Sequence, residues 1–163
     1  MKKINVLIST FFGYGYITKM PGTVTSLVTT IFIYIAYEYL GYTDLRFSII
    51  FFVIIFFYSF YAVKDSESEF INKDPRQIVI DEVLGQSMPL ILLLHLNLTN
   101  QISMQIEVYY IISFFVFRFF DIFKPFPVSY FDKNFKNYFG IIMDDVMAGF
   151  YTMFVIYLIS LKF

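Results

Sequence analysis

Cysteine is absent from the 163-residue chain, and charged residues are scarce. The lack of cysteine excludes a disulfide framework, a thiolate metal site and a cysteine nucleophile. Charged residues make up only 15% of the chain, and the formal net charge of −1 leaves no broad basic surface, so a nucleic-acid partner is not expected. Hydrophobic residues reach 58%, and the mean hydropathy is +0.67. So few charges cannot cover such an apolar inventory in water, which predicts one integral membrane domain over residues 1–163.

Five apolar segments separated by polar loops predict an all-α bundle of about four to five membrane helices. Each segment approaches the length that crosses a bilayer as a helix. The segments are 24–40, 47–63, 75–96, 106–120 and 141–161. Thr23 is expected to cap the first helix. The third helix is expected to begin near Pro75 and to kink or break at Pro89. A short surface helix is expected within 128–140.

The distribution of basic residues predicts the orientation of the bundle. In this topology ten of the twelve Lys and Arg residues lie on one side. They are Lys2, Lys3, Lys19, Lys64, Lys73, Arg76, Arg118, Lys124, Lys133 and Lys136. The positive-inside rule therefore places the N-terminus and the 64–82 and 121–140 loops in the cytoplasm.

Two acidic pairs, Asp81-Glu82 and Asp144-Asp145, are the strongest chemical signals. Both fall at the predicted cytoplasmic ends of apolar helices, where acids are costly and therefore functional candidates. Gly85 and Gly149 each follow an acid by four residues, which would let another helix approach closely. An oxygen-rich cluster without histidine or cysteine suits Mg²⁺. The alternative is that these acids are solvated residues at helix starts, favoured by the dipole.

A second set of candidates consists of three cations and one acid. Arg118, Asp121 and Lys124 follow one another at i, i+3 spacing, so they share one stripe at a helix end. This stripe fits either a phosphate site beside a metal ligand or a self-satisfied ion triad at the interface. Lys19 precedes the Pro-Gly-Thr turn ending at Thr23, where free helix amides would favour an anion. The alternative, which this loop alone does not displace, is an ordinary turn into a membrane helix.

The single histidine, His95, excludes the lipid phosphatases that use a histidine nucleophile, because those need more than one. The D-x-D-x-T pattern of aspartate-nucleophile phosphatases is also absent. If the chain cleaves a phosphate, metal-assisted attack by water is the main route left, and an aspartate nucleophile is a less favoured variant.

Four ordered motifs over nearly the whole chain resemble the phosphatidylglycerophosphatase A family. They are Gly13-x-Gly15 with Pro21-Gly22-Thr23; Lys73-Asp74-Pro75 with Asp81-Glu82-x-x-Gly85-Gln86; Phe117-Arg118-Phe119-Phe120-Asp121-x-x-Lys124-Pro125-Phe126-Pro127; and Gly140-Ile141-x-x-Asp144-Asp145-x-x-Ala148-Gly149. The resemblance implies a mostly helical, Mg²⁺-dependent membrane enzyme that converts phosphatidylglycerophosphate into phosphatidylglycerol. Together with the charge distribution, it leads us to expect a multi-pass protein of the bacterial cytoplasmic membrane, with the active site facing the cytoplasm. Whether the protein forms a homo-oligomer stays open.

The residues and the resemblance lead to one mechanistic hypothesis. Asp81, Glu82, Asp144 and Asp145 are the expected Mg²⁺ ligands, and Asp121 joins Asp81, Glu82 and Asp145 among the expected catalytic residues. Lys19, Thr23, Arg118 and Lys124 are the expected substrate-binding residues, which hold the phosphomonoester while a metal-activated water attacks phosphorus. Two rivals remain: a non-enzymatic membrane bundle whose acids carry ions or protons, and a related phosphatase for a soluble phosphomonoester.

Overall fold

The computed structural model describes residues 2–17, 19–70, 75–102 and 104–162, and no strand occurs within these ranges. The prediction of an all-α fold is therefore confirmed for this part of the chain. Its helices are α1 (Lys2–Ser9), α2 (Tyr14–Ile17), α3 (Pro21–Tyr34), α4 (Leu45–Ser66), α5 (Ile80–Leu98), α6 (Ile106–Phe123), α7 (Val128–Asn134) and α8 (Tyr138–Lys162). A π-helical turn, Ile35–Tyr39, continues α3, and a 3-10 turn, Glu67–Glu69, extends α4. Helix α7 is the expected short helix within 128–140.

Helix α5 lies at the centre of the bundle and packs against α3, α4, α6 and α8. Its leucines point in several directions, and Leu84, Leu90 and Leu93 are almost fully buried. A helix that is apolar on most of its circumference can bury itself only if neighbours surround it. The acidic pair Asp81-Glu82 in the first turn of α5 therefore lies on the central axis of the bundle, at the end where α5 begins.

Two helical segments in the described ranges, Leu45–Glu69 and Tyr138–Lys162, are long and apolar enough to cross a membrane. This number is lower than the four to five predicted membrane helices. The physical reason is local polarity: α6 carries Glu107, Arg118 and Asp121 within its 18 residues, and α5 carries an acidic pair in its first turn. Many large apolar side chains are nevertheless exposed on the outer surface, including those along α4.

Two predicted helix starts are wrong. Helix α3 begins at Pro21, so Thr23 lies inside its first turn, and the N-cap residue Met20 makes no capping hydrogen bond with its side chain. Proline favours the first helical position because its missing N–H needs no partner there. Helix α5 begins at Ile80 and not near Pro75, because the preceding residues pack against α1, where the Val79 N–H donates to the carbonyl of Ser9 at 2.9 Å. Lys73 and Asp74, part of one family motif, lie outside the described residues.

The directions of the helices bring several helix ends together. Helices α3, α5 and α8 begin at the same end of the bundle, where residues near their N-terminal ends line one cavity with the last turn of α6. Helix α4 also ends here, with the Lys64 Nζ atom 5.4 Å from the centroid of the Tyr138 ring. This end therefore collects the free amides of several helices and most of the polar residues around the site.

Candidate active site

The backbones of α5 and α8 come close together at two glycines. A Cβ atom added at Gly85 would lie 2.5 Å from the carbonyl oxygen of Asp145, and one added at Gly149 would lie 2.6 Å from the carbonyl oxygen of Gly85. Neither position has room for a side chain. The predicted close approach at these two glycines is confirmed, and it brings the acidic start of α5 beside the acidic segment of α8.

Three of the four predicted metal ligands form one cluster. Carboxylate oxygens of Asp81, Glu82 and Asp145 all lie within 4.8 Å of one another. Asp81 and Asp145 are buried, with 9% and 4% of their surface exposed. Like charges held this close inside a protein repel strongly unless a cation or protons offset them. The cluster is therefore a candidate metal site made only of oxygen donors, as Mg²⁺ prefers.

The fourth predicted ligand, Asp144, forms an ion pair. Its Oδ2 accepts from the Lys124 Nζ at 2.7 Å, and the same ammonium group donates to Asp132 Oδ1 at 2.7 Å. Burial alone would lower the pKa of Lys124, but Asp144 and Asp132 outweigh it and raise this pKa. Burial would likewise raise the pKa of Asp132, but the bond from Lys124 lowers it. Both groups are thus held charged, and Lys124 is fixed between two carboxylates.

Lys124 departs from the predicted stripe of charges. The Arg118 Nη1 and Asp121 Oδ2 atoms form the expected i, i+3 ion pair at 2.5 Å. Lys124, however, follows the end of α6 in a left-handed conformation with φ 45°, and it pairs with Asp132 and Asp144. The left-handed residue turns the chain away from the helix axis, so the i, i+3 spacing no longer applies beyond Phe123.

Arg118 and Glu82 meet beside the first turn of α3. A Cβ atom added at Gly22 would collide with the Glu82 carboxylate and lie 3.4 Å from the Arg118 Nη1. The Glu82 Oε2 and Arg118 Nε atoms are buried, and neither has a hydrogen-bond partner in the described part of the chain. Buried polar atoms without a hydrogen bond are costly, so these two atoms point to a ligand that would satisfy them.

All nine predicted site residues line a single open cavity of about 600 Å³. They are Lys19, Thr23, Asp81, Glu82, Arg118, Asp121, Lys124, Asp144 and Asp145. The sequence patterns missed three further charged residues in its wall, namely Arg76, Asp132 and Lys136. Asp132 lies on α7, eight residues after Lys124, and no helical spacing connects the two. The only hint in the sequence was that Asp132 is an acid in the expected short helix that follows the third motif.

The alternative of solvated acids at helix starts fails for Asp144 and Asp145. They are the seventh and eighth residues of α8, and only 7% and 4% of their surface is exposed. A helix dipole acts mainly within the first turn, so it does not account for acids placed this deep. Asp81 and Glu82 do lie in the first turn of α5, but their carboxylates also belong to the cluster with Asp145.

The fold and the cavity together define a class: a helical protein with a buried carboxylate cluster facing cations at one end of its bundle. The model of the Phosphatidylglycerophosphatase A family matches residues 7–160. The chain belongs to this family.

Three relatives match almost the whole chain. A protein of Haemophilus influenzae named phosphatidylglycerophosphatase A is 34% identical over 98% of this chain and 94% of its own length. A protein of Escherichia coli with the same name is 28% identical over 94% of this chain and 82% of its own length. A Bacteroides thetaiotaomicron protein, provisionally named a phosphatidylinositol-3-phosphatase, is 35% identical over 93% of this chain and 90% of its own length. No solved structure matches the chain.

Proposed function

We propose that this protein is a lipid phosphatase that hydrolyses phosphatidylglycerophosphate to phosphatidylglycerol and inorganic phosphate. One observation carries the proposal: three carboxylates within 4.8 Å of one another lie in the same cavity as Arg118 and Lys124. A phosphomonoester needs cationic groups to bind its charge, and a carboxylate cluster needs a metal ion or protons to exist. The names of the Haemophilus influenzae and Escherichia coli relatives supply the substrate.

The donor set fits Mg²⁺. Asp81, Glu82 and Asp145 would hold the ion, and the unpartnered Glu82 Oε2 is an oxygen available to it. Six acids and five cations line the cavity among the described residues, so full ionisation leaves a formal charge of −1. A divalent cation would reverse this sign and so favour an anionic substrate. When bound, Mg²⁺ would polarise a phosphoryl oxygen and lower the pKa of a coordinated water.

The side chains of the cavity suggest a role for each part of the reaction. Arg118 and Lys124, with Lys19 and the amides near Thr23, bind the phosphate oxygens. Water attacks phosphorus, the bond from phosphorus to the glycerol oxygen breaks, and the leaving oxygen takes a proton. A carboxylate of the cluster accepts the proton that the water loses. Asp121 orients Arg118 through their ion pair.

Asp132 and Asp144 would position Lys124. The ammonium group donates to both carboxylates at 2.7 Å, which leaves its third N–H for a phosphate oxygen. Because an ammonium on a four-carbon stem is flexible, two fixed partners reduce the entropy that phosphate binding would otherwise cost. Asp144 therefore has two candidate roles in this proposal, as the fourth metal ligand and as a partner of Lys124.

Activity measurements on purified protein test the function. Phosphate release would be compared between phosphatidylglycerophosphate, phosphatidylinositol 3-phosphate and glycerol 3-phosphate, each with and without Mg²⁺. We expect Mg²⁺-dependent release from the first lipid. The second substrate represents the name of the Bacteroides thetaiotaomicron relative, and the third represents a soluble phosphomonoester. No release from any of the three with Mg²⁺ present would contradict the proposal and favour a non-enzymatic bundle.

We further propose four to five membrane helices, with the cavity facing the bacterial cytoplasm. Exposed apolar side chains on α4 and α6, such as Phe57 and Phe115, support contact with lipid. The natural absence of cysteine allows single-cysteine labelling in intact cells. Tyr42→Cys, in the loop after α3, should react with a membrane-impermeant maleimide, whereas Lys136→Cys, beside the cavity, should react only after lysis. The reverse pattern would overturn the orientation.

A further inference from the structure

A layer of polar side chains lies inside the bundle, beneath the acidic cluster. Thr25 and Thr29 of α3, Gln86 of α5 and Ser113 of α6 form this polar layer. Thr25, Gln86 and Ser113 are 0% exposed and Thr29 is 3% exposed, and none of the four lines the catalytic cavity. Apolar side chains would be the ordinary choice for such positions. The layer is separate from every residue assigned above to metal or substrate.

Helix geometry places these four residues between two known contacts. At the cavity end, Gly22 of α3 lies against Glu82 of α5 and Arg118 of α6. Further from the cavity, the rings of Tyr34 of α3 and Tyr110 of α6 are 5.0 Å apart. The polar layer falls within these limits on α3 and α6, because α3 runs away from the cavity and α6 runs towards it. One helical turn rises about 5.4 Å, so Gln86 lies about one turn below Glu82.

One direct hydrogen bond crosses the layer. The Gln86 Nε2 donates to the Ser113 Oγ at 3.4 Å, which joins α5 to α6. Helix α3 packs against both of these helices. Thr25 and Thr29 follow Gly22 by three and seven residues, so they share the face of α3 that Gly22 turns towards α5 and α6. The layer is therefore a junction of three helices.

Three polar atoms of the layer have no hydrogen-bond partner among the residues that the structure describes. They are Thr25 Oγ1, Thr29 Oγ1 and Gln86 Oε1. Neighbouring hydroxyl groups on α3 behave differently, since Ser26 donates to the Gly22 carbonyl at 2.9 Å and Thr30 donates to the Ser26 carbonyl at 2.8 Å. Buried polar atoms in native proteins are almost always satisfied, either by protein groups or by ordered water. The described part of the chain offers these atoms no partner, and ordered water is the group that commonly satisfies such buried atoms.

We propose that the polar layer is a binding site for internal water. Ordered water can donate to the Gln86 Oε1 and accept from the hydroxyl groups of Thr25 and Thr29, which are the hydrogen bonds that the three atoms lack. The water would join α3 to the α5–α6 pair by a polar contact. It would also place a polar molecule about one turn below Glu82 and Arg118. A dry interior there would raise the free-energy cost of burying their charges. This proposal does not depend on the identity of the substrate.

Isosteric valine variants test the proposal through thermal stability. Thr25→Val and Thr29→Val remove a hydroxyl that would bind water, whereas the matched control Thr30→Val removes one that only returns to its own helix. If water occupies the layer, each test variant should unfold about 2–4 °C below the control, the shift expected for one lost bridge in a chain of this size. A test variant that melts at or above the temperature of the Thr30→Val control would overturn the proposal, because removing an unpaired hydroxyl from a dry site is stabilising.

A direct observation keeps the proposal testable if a variant does not fold. An experimental structure of the unmodified protein, at a resolution that shows ordered water, should contain a density peak within hydrogen-bond distance of the Gln86 Oε1 and of at least one of the two threonine hydroxyls. A polar layer without such a peak would overturn the proposal.

Discussion

The close contact of α5 and α8 at Gly85 leads to the prediction that Gly85→Ala lowers activity more than stability. The new methyl group would lie 2.5 Å from the Asp145 carbonyl oxygen and 2.6 Å from the Phe117 ring. The ring can move, but the carbonyl belongs to the backbone of α8. The helices must therefore shift apart at the position where they hold Asp81 and Glu82 beside Asp145.

The two expected effects differ in size. Alanine in place of glycine gains about 1 kcal/mol of helix propensity, and overpacking costs about 1–3 kcal/mol, so the net loss of stability is about 0–2 kcal/mol. A displacement of about 1 Å within a catalytic group can lower the rate about 10²-fold. The expected result is thus a folded protein with about 1% of the normal kcat/KM.

The assay combines phosphate release with thermal unfolding, and Gly41→Ala is the matched control. Gly41 has φ 66°, and an added Cβ atom there would meet nothing within 4 Å. Alanine in this left-handed conformation costs about 1–2 kcal/mol, so the control loses comparable stability while the site stays intact. Normal kcat/KM in Gly85→Ala, or an equal loss of activity in both variants, would refute the reasoning.

Three further predictions concern the charges of the cavity. Asp145→Asn should lower phosphate release at least 10²-fold, and in the absence of Mg²⁺ it should raise the melting temperature, since an unpaired buried charge is removed. Addition of Mg²⁺ at about 100 times its Kd should raise the melting temperature of the unmodified protein by about 5–11 °C, and this shift should vanish in Asp145→Asn. Asp132→Asn should lower kcat/KM about 10-fold by loosening Lys124, whereas Lys136→Ala should change little, because its pair with Asp132 is long (3.8 Å) and exposed. An unchanged kcat/KM in Asp132→Asn would contradict its positioning role.

Local spacing predicted those parts of the site that depend on one or two helices. The four-residue interval between acid and glycine indicated that another helix approaches each glycine closely, and the structure shows that α5 and α8 approach each other there. The i, i+3 interval indicated the Arg118–Asp121 pair. Such intervals are fixed by helix geometry, so they survive folding unchanged.

The parts that sequence patterns missed depend on tertiary contacts. The start of α5 is set by contact with α1. The direction of the Lys124 side chain is set by the left-handed backbone of Lys124 itself and by its ion pair with Asp132 of α7. The polar layer was also missed, because Thr25 and Thr29 fall within a segment that is apolar on average. Their i, i+4 spacing was a usable signal, since it places both hydroxyl groups on one face of α3.

The acids of the site differ in how the fold compensates their negative charge, and this difference indicates which acid a metal ion would stabilise most. Asp81 and Glu82 lie in the first turn of α5, where the helix dipole favours negative charge. Asp144 is paired with Lys124. Asp145 has neither form of compensation in the described part of the chain: it lies two turns into α8, is 4% exposed and makes no ion pair there. A cation shared by the cluster would offset this charge most, so we expect Asp145 to couple metal binding to stability more strongly than any other acid of the cavity.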